Sequence, residues 1–171
     1  MRALRRALRA SLFDRKAHTE LFFDSDATAD AVLLVAAVQA VVYVGQVVRI
    51  GFGAFSLTGL LETVIFGLIG WLILAGATWL AATRLFEGSG QLQTMMRMHG
   101  HCELPVVLAV AGPIGAAAGL VWSVAAKIVA TAEGASLDTI KALASVLLGF
   151  ALVVLVRLLF RLPFMALGGL F

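Results

Sequence analysis

Long apolar runs constrain this chain more than any other feature of its sequence. Residues 31–48 read AVLLVAAVQAVVYVGQVV, eighteen residues without a charged side chain. A helix needs about twenty apolar residues to cross a hydrocarbon core of about 30 Å. Further apolar runs cover residues 60–86, 104–131 and 139–160. Since 61% of the 171 residues are hydrophobic and only 13% are charged, a soluble domain is excluded. We predict an all-α, polytopic integral membrane bundle.

The number of crossings depends on the run that contains AGPIG. Pro113 cannot continue a helix from the preceding turn. Residues 114–131 are long enough to span alone, whereas residues 104–111 rise only about 12 Å. We expect four full crossings plus a short half-segment, and five helices with a short third are the alternative. The latter requires the third helix to begin in the polar stretch before residue 104. The predicted membrane domain is 24–162, with spans at about 31–50, 60–86, 114–131 and 139–160 and a short segment at 104–111. A short apolar tail, 163–171, follows this domain.

Residues 1–23 form a basic arm. Leu4, Leu8 and Leu12 recur every four residues, and the positions between them hold Arg2, Arg5, Arg6 and Arg9. This pattern is typical of an amphipathic interfacial helix whose arginines face anionic headgroups, although a partly disordered basic tail also fits it. Six of the thirteen basic residues fall within the first sixteen positions. The positive-inside rule therefore predicts a cytoplasmic N-terminus, in a bacterial inner membrane, and nucleic-acid binding is not expected.

The stretch MMRMHGHC, residues 95–102, is rich in metal-ligand residue types. Met95, His99, His101 and Cys102 are soft or borderline ligands that suit copper(I) or zinc. The same spacing also describes an amphipathic helix that lies on the membrane surface and leads into Pro105. We favour this cytoplasmic elbow, and we predict no metal and no other cofactor.

Two motifs within the spans predict helix contacts. Ala111, Gly115 and Gly119 lie at four-residue spacing, so a neighbouring helix can approach closely, either within one chain or between copies. Gln39 and Tyr43 share one face of the first span with Gln46. This polar face predicts hydrogen bonds between helices, or a substrate path.

Glu62 and Lys127 are the charges nearest to membrane depth. Each lies within about a turn of a predicted span end, where a long side chain reaches water. In the four-crossing arrangement both lie at the outer end, where they could form a charge pair.

The order of motifs resembles that of a known membrane family. LFEGSGQLQTMMRMHGHCELP, residues 85–105, joins a Gly-rich turn to a short amphipathic stretch and a proline. GPIGAAAGLVWSVAAKIVATAEGASLDTIKAL, residues 112–143, adds a Gly-Pro break, a span with Trp122 and a loop before the last span. This order resembles a bacterial pattern of the Yip domain family (Ypt/Rab-interacting proteins). The resemblance implies five helices with a short third and a non-catalytic adaptor role. Eukaryotic members are linked to Rab GTPases and vesicle traffic.

The motifs that are missing narrow the function further. The sequence has no hydrolase elbow, phosphate loop, HExxH motif or paired intramembrane aspartates, so we do not expect an enzyme. We predict a membrane adaptor or organiser that binds a protein partner or a second copy through its helices. The alternatives are a small transporter or channel lined by the Gln39 face, and a metal-handling protein that uses residues 95–102.

Overall fold

The computed structural model describes the backbone of residues 2–168 and the side chains of residues 3–159. All regular elements in this part of the chain are helical, which confirms the predicted all-α bundle. Short 3₁₀ turns occur at Phe52–Ala54 and Leu104–Ala111, and we call the second one the 3₁₀ segment. The α-helices are α1 (Arg2–Ser11), α2 (Arg15–Phe23), α3 (Ala27–Ile50), α4 (Leu57–Arg84), α5 (Leu92–His101), α6 (Pro113–Ala135) and α7 (Thr139–Gly168).

Four helices, α3, α4, α6 and α7, are long and apolar enough to cross a membrane. Their ends carry the expected stop signals. Gly51, with φ of 123°, ends α3, because a residue without Cβ adopts this conformation at low cost. Ser56 caps α4, where its hydroxyl accepts a hydrogen bond from the Gly59 N–H at 3.3 Å. These four helices make the chain a helical membrane protein.

α5 and the 3₁₀ segment together run beside α6 in the opposite direction. Just before α5, the Ser89 N–H donates to the Ala135 carbonyl at the end of α6, at 2.9 Å. Near the start of α6, a methyl group added at Gly115 would clash with the Leu108 carbonyl oxygen. At about 1.5 and 2.0 Å per residue, the ten residues of α5 and the eight of the 3₁₀ segment rise about 31 Å. Their combined length is therefore enough for one membrane crossing.

Contacts at the two ends of the bundle show that this segment crosses it. We call the end of the bundle that holds the last turns of α4 and α6 the near end, and the opposite end the far end. At the near end, the Gly88 N–H donates to the Ala82 carbonyl at 2.8 Å. The far end holds the last turn of α3, where Arg49 lies against Gly112. Of the two predicted arrangements, the structure has five helical passes, and we call α5 with the 3₁₀ segment the broken third pass. α7 then runs antiparallel to α4, with Gly149 against Thr78, and leads to the far end.

The arm is a helical hairpin packed on the bundle. Asp14 caps α2 by accepting from the Lys16 N–H at 2.9 Å. The face of α1 that contacts the bundle is made of small residues, since Ala7 and Ala10 are fully buried. The predicted leucine stripe points away from the protein, with Leu4, Leu8 and Leu12 exposed by 50%, 49% and 62%. The arm therefore has separate faces for the bundle and for an apolar environment.

The prediction that residues 95–102 form an elbow on the membrane surface was wrong. α5 lies inside the molecule, in contact with α1, α2, α3, α4 and α6. Small residues allow this, because a Cβ at Gly100 would lie only 2.6 Å from the Ala31 Cβ. The side chains of α5 and its cap that are fully buried are Met95, Met98, His99, His101 and Cys102.

Candidate functional site: the polar cluster at the broken third pass

The third pass is broken where α5 gives way to the 3₁₀ segment. Pro105 lies in the first turn of that segment; it has no N–H to donate and it crowds the preceding turn. The break leaves carbonyl groups of the last turn of α5 without helical partners. α6 supplies one partner, because the Ser123 hydroxyl donates to the Cys102 carbonyl at 2.9 Å.

A buried ion pair lies at this break. Lys127 Nζ on α6 lies 2.5 Å from Glu103 Oε2, and the two side chains are 2% and 15% exposed. Lys127 also donates to the Ser123 hydroxyl one turn earlier on α6. Charges so far from water persist when they are paired and hydrogen-bonded. The pair therefore joins the break in the third pass to α6.

His99 extends this group of side chains toward the near end. Its Nε2 lies 3.0 Å from the Thr131 hydroxyl, which in turn donates to the Met95 sulfur at 3.7 Å. We call Glu103, Ser123, Lys127, His99 and Thr131 the polar cluster.

Arg97 and His101, on the neighbouring face of α5, connect the cluster to the arm. The Arg97 guanidinium donates to the Asp24 carbonyl at 2.5 Å. His101 Nδ1 lies 2.8 Å from the Arg97 carbonyl within the same helix. Trp122 of α6 donates to the Ser11 carbonyl at the end of α1, at 2.7 Å. The hairpin is thus held by hydrogen bonds to both α5 and α6.

His18 of the arm is fully buried against α5. Burial lowers its pKa from 6.5 to about 4, helped by the nearby His101 and opposed by the Asp14 carboxylate. At neutral pH the imidazole is therefore uncharged. Burial of His18 in the docked arm therefore favours the neutral form.

The four metal-ligand candidates do not converge on one point. Met95 and His99 both contact the Thr131 hydroxyl, whereas His101 is directed at the Arg97 carbonyl. The Cys102 thiol lies in an apolar cluster under the arm. Among the side chains that the structure describes, no group of three or more His, Cys, Asp or Glu residues could hold a metal ion.

The predicted polar face of the first span packs against α4. The Tyr43 hydroxyl donates to the Ser56 carbonyl and accepts from the Ser56 N–H, both at 2.8 Å. Gln39 lies against Gly67, and Gln46 is exposed. The three residues therefore do not share one lined path.

The small-residue motif packs within the chain. Methyl groups added at Gly115 and Gly119 would clash with carbonyl oxygens of the 3₁₀ segment, and Ala111 lies beside Gly115. This close approach holds the second half of the third pass against α6.

The predicted charge pair between Glu62 and Lys127 was wrong. Lys127 pairs with Glu103 instead, and Glu62 is exposed on α4. With four crossings, Lys127 and Glu103 would lie on opposite sides of the membrane, whereas the broken third pass brings them together. Sequence reasoning missed the signal for this pair. Glu103 and Lys127 have opposite charges and lie on either side of Pro113, near the two ends of the same apolar run.

The arginines of the arm divide into two groups. Arg6 pairs with Asp24 at 2.7 Å. Arg9 pairs with Asp14 at 2.7 Å and with Glu20 at 2.9 Å. Arg5 is exposed, and the side chain of Arg2 lies outside the described residues. The carboxylates that pair with Arg6 and Arg9 belong to the protein itself. Of the three predicted headgroup contacts whose side chains the structure describes, Arg5 is therefore the one left exposed.

Comparison of the chain with family models, with curated proteins and with solved structures finds no match. The fold and the site by themselves define the chain as a polytopic helical membrane protein with a buried polar cluster at a broken helix.

Proposed function

We propose that the protein is a non-enzymatic membrane adaptor that binds partner proteins through its lipid-facing helix surfaces. The observation that carries this proposal is the pairing of the buried Lys127 ammonium inside the protein. Lys127 is held by Glu103 and Ser123. Because this buried charge is paired internally, we place partner binding on the outer surfaces of the bundle.

A cavity beside the arm supports the same proposal. It has a volume of about 580 Å³ and is lined by Phe13 and residues of α6. Two of its lining residues, Ile114 and Val121, are 87% and 70% exposed, so it is an apolar groove on the outside of the bundle. The resemblance to the Yip domain family implies an adaptor role as well.

The charge distribution supports an orientation. With five passes, ten of the thirteen basic residues lie toward the near end. Arg49 lies at the far end, and Arg157 and Arg161 lie in the second half of α7, with Arg157 halfway along the bundle. The positive-inside rule then gives a cytoplasmic near end in a bacterial inner membrane, with the arm against anionic lipid.

Cross-linking in native membranes tests the adaptor proposal. The full chain, tagged and extracted in a mild detergent, should co-purify with a distinct partner protein at constant stoichiometry. Free monomer alone, from cross-linked and untreated membranes alike, would contradict the proposal.

One observation favours transport as a second candidate. Transporters commonly place broken helices and buried charges near the middle of the membrane, and Lys127 lies at such a break. Solute or proton flux into liposomes should then fall with Lys127→Met and stay unchanged with Lys141→Met, whose lysine is exposed at the start of α7. Equal flux in both variants would exclude this candidate.

A further inference from the structure

Arg157 places a charge on the outer surface of the bundle, halfway along its length. It lies on α7 opposite Gly70 of α4, where an added Cβ would lie 3.4 Å from the Arg157 Nη2 atom. Gly70 is at the midpoint of the 28-residue helix α4. The guanidinium therefore lies about 20 Å along the axis from either end of α4. In a hydrocarbon core of about 30 Å, this position is close to the midplane.

This guanidinium makes no ion pair with any side chain between residues 3 and 159. Lys127, the other cation at depth, has Glu103. The carboxylate of α4, Glu62, lies eight residues from Gly70 toward the far end, about 12 Å along the axis. Charged side chains inside a membrane pair with an opposite charge or with backbone carbonyls, or face water. Among the described side chains, Arg157 therefore has no counter-charge at this depth.

The surface around Arg157 is apolar and open. α4 and α7 pack against each other along their lengths, so their exposed sides are adjacent. We call it the α4–α7 face. Its exposed members near the level of Arg157 are Ile65, Phe66, Ile69, Val154, Leu155 and Leu158.

We propose that the α4–α7 face binds a transmembrane helix of a partner protein, and that an Asp or Glu in the middle of that helix pairs with Arg157. This inference rests on the adaptor function proposed above and names the chemistry of the partner. A guanidinium binds a carboxylate through two parallel hydrogen bonds, which fixes both depth and orientation. Gly70 adds no side chain at this point, so a partner helix can come close. A lipid phosphate lies at headgroup level, about 15 Å away, beyond the reach of the side chain.

Reconstitution with model helices tests the proposal. The full chain is placed in phosphatidylcholine vesicles at pH 8 with a 24-residue polyleucine peptide that has one central Glu and a photoactivatable residue one turn away. A matched peptide has Gln in place of Glu. The Glu peptide should cross-link to α4 and α7 with at least about fivefold higher yield than the Gln peptide.

Variants of the protein assign this difference to one side chain. Arg157→Gln should lower the yield of the Glu peptide to that of the Gln peptide, and Arg157→Lys should retain part of the excess. Arg84→Gln, a matched change at the near end of α4, should leave the yield unchanged. Since Arg157→Lys keeps the charge, its yield distinguishes loss of pairing from loss of folding.

Three results would overturn the proposal. The first is an equal cross-linking yield for the two peptides. The second is a higher yield for the Glu peptide that persists in the Arg157→Gln variant. The third is cross-linking between two copies of the chain that disappears with Glu62→Gln. The last would assign the face to a homodimer. If a native partner still co-purifies with Arg157→Gln, the adaptor function stands and only this contact is disproved.

Discussion

Removing Lys127 should destabilise the protein far more than removing an exposed lysine. Lys127→Met leaves the Glu103 carboxylate in the interior without its counter-charge. With exposures of 2% and 15%, the two side chains have little water around them. Breaking a buried pair from one side costs about 3–5 kcal/mol. We expect a loss of this size in the free energy of unfolding, measured by equilibrium denaturation in mixed dodecylmaltoside–SDS micelles.

A double-mutant cycle separates the pair from other effects of the substitution. Lys127→Met combined with Glu103→Gln should cost much less than the two single losses together, because neither charge is then left alone. Lys141→Met is the matched control. Its lysine lies 3.9 Å from Asp138 with both side chains more than half exposed, so the loss should stay below about 1 kcal/mol. Additive losses, or equal losses for the two lysines, would refute the buried pair.

Three further outcomes follow from packing and charge. Gly115→Ala should cost about 1–3 kcal/mol in unfolding free energy because of its backbone clash, whereas Gly76→Ala, whose nearest contact is a side chain at 4.0 Å, should be neutral or stabilising. The pKa of His18 is lower in the folded protein than in the unfolded chain, so protonation favours unfolding. The free energy of unfolding should therefore be unaffected by His18 above about pH 6.5 and should fall by about 3 kcal/mol as the pH drops to 4. His18→Gln should therefore reduce the fall in thermal stability between pH 7 and pH 4.5; an unchanged fall would contradict this. Cys102 is fully buried, so maleimide should label it only after deletion of residues 2–23, and fast labelling of the intact chain would show that the arm is undocked.

Hydropathy predicted the four continuous membrane helices, because each is apolar over eighteen residues or more. It could not identify the third pass. The first half of that pass, α5, contains Arg97 and His99, and these two side chains are accommodated by partners on other elements. Arg97 is bound by the Asp24 carbonyl, and His99 by Thr131. A hydropathy pattern records the residue alone and contains no information about such partners.

The polar cluster could not be predicted from the sequence for the same reason, because it is formed by partners on different elements. Lys127 was recognised as a charge at membrane depth, but its partner follows from the direction of the third pass. Arg157 was missed because it lies near the predicted end of the last span, whereas α7 extends to Gly168 and places it halfway along the bundle. Gly115 and Gly119 were recognisable as a contact motif from their spacing. Only the structure shows that their neighbour is the 3₁₀ segment of the same chain.

The sidedness of the two termini tests the five-pass arrangement most directly. A protease-sensitive tag is added to each terminus of the full chain. Cleavage of both tags is followed in sealed vesicles and again after detergent opens them. With five passes, one tag should be cleaved in sealed vesicles and the other only after opening. Cleavage of both tags from the same side would mean an even number of passes and would contradict the broken third pass.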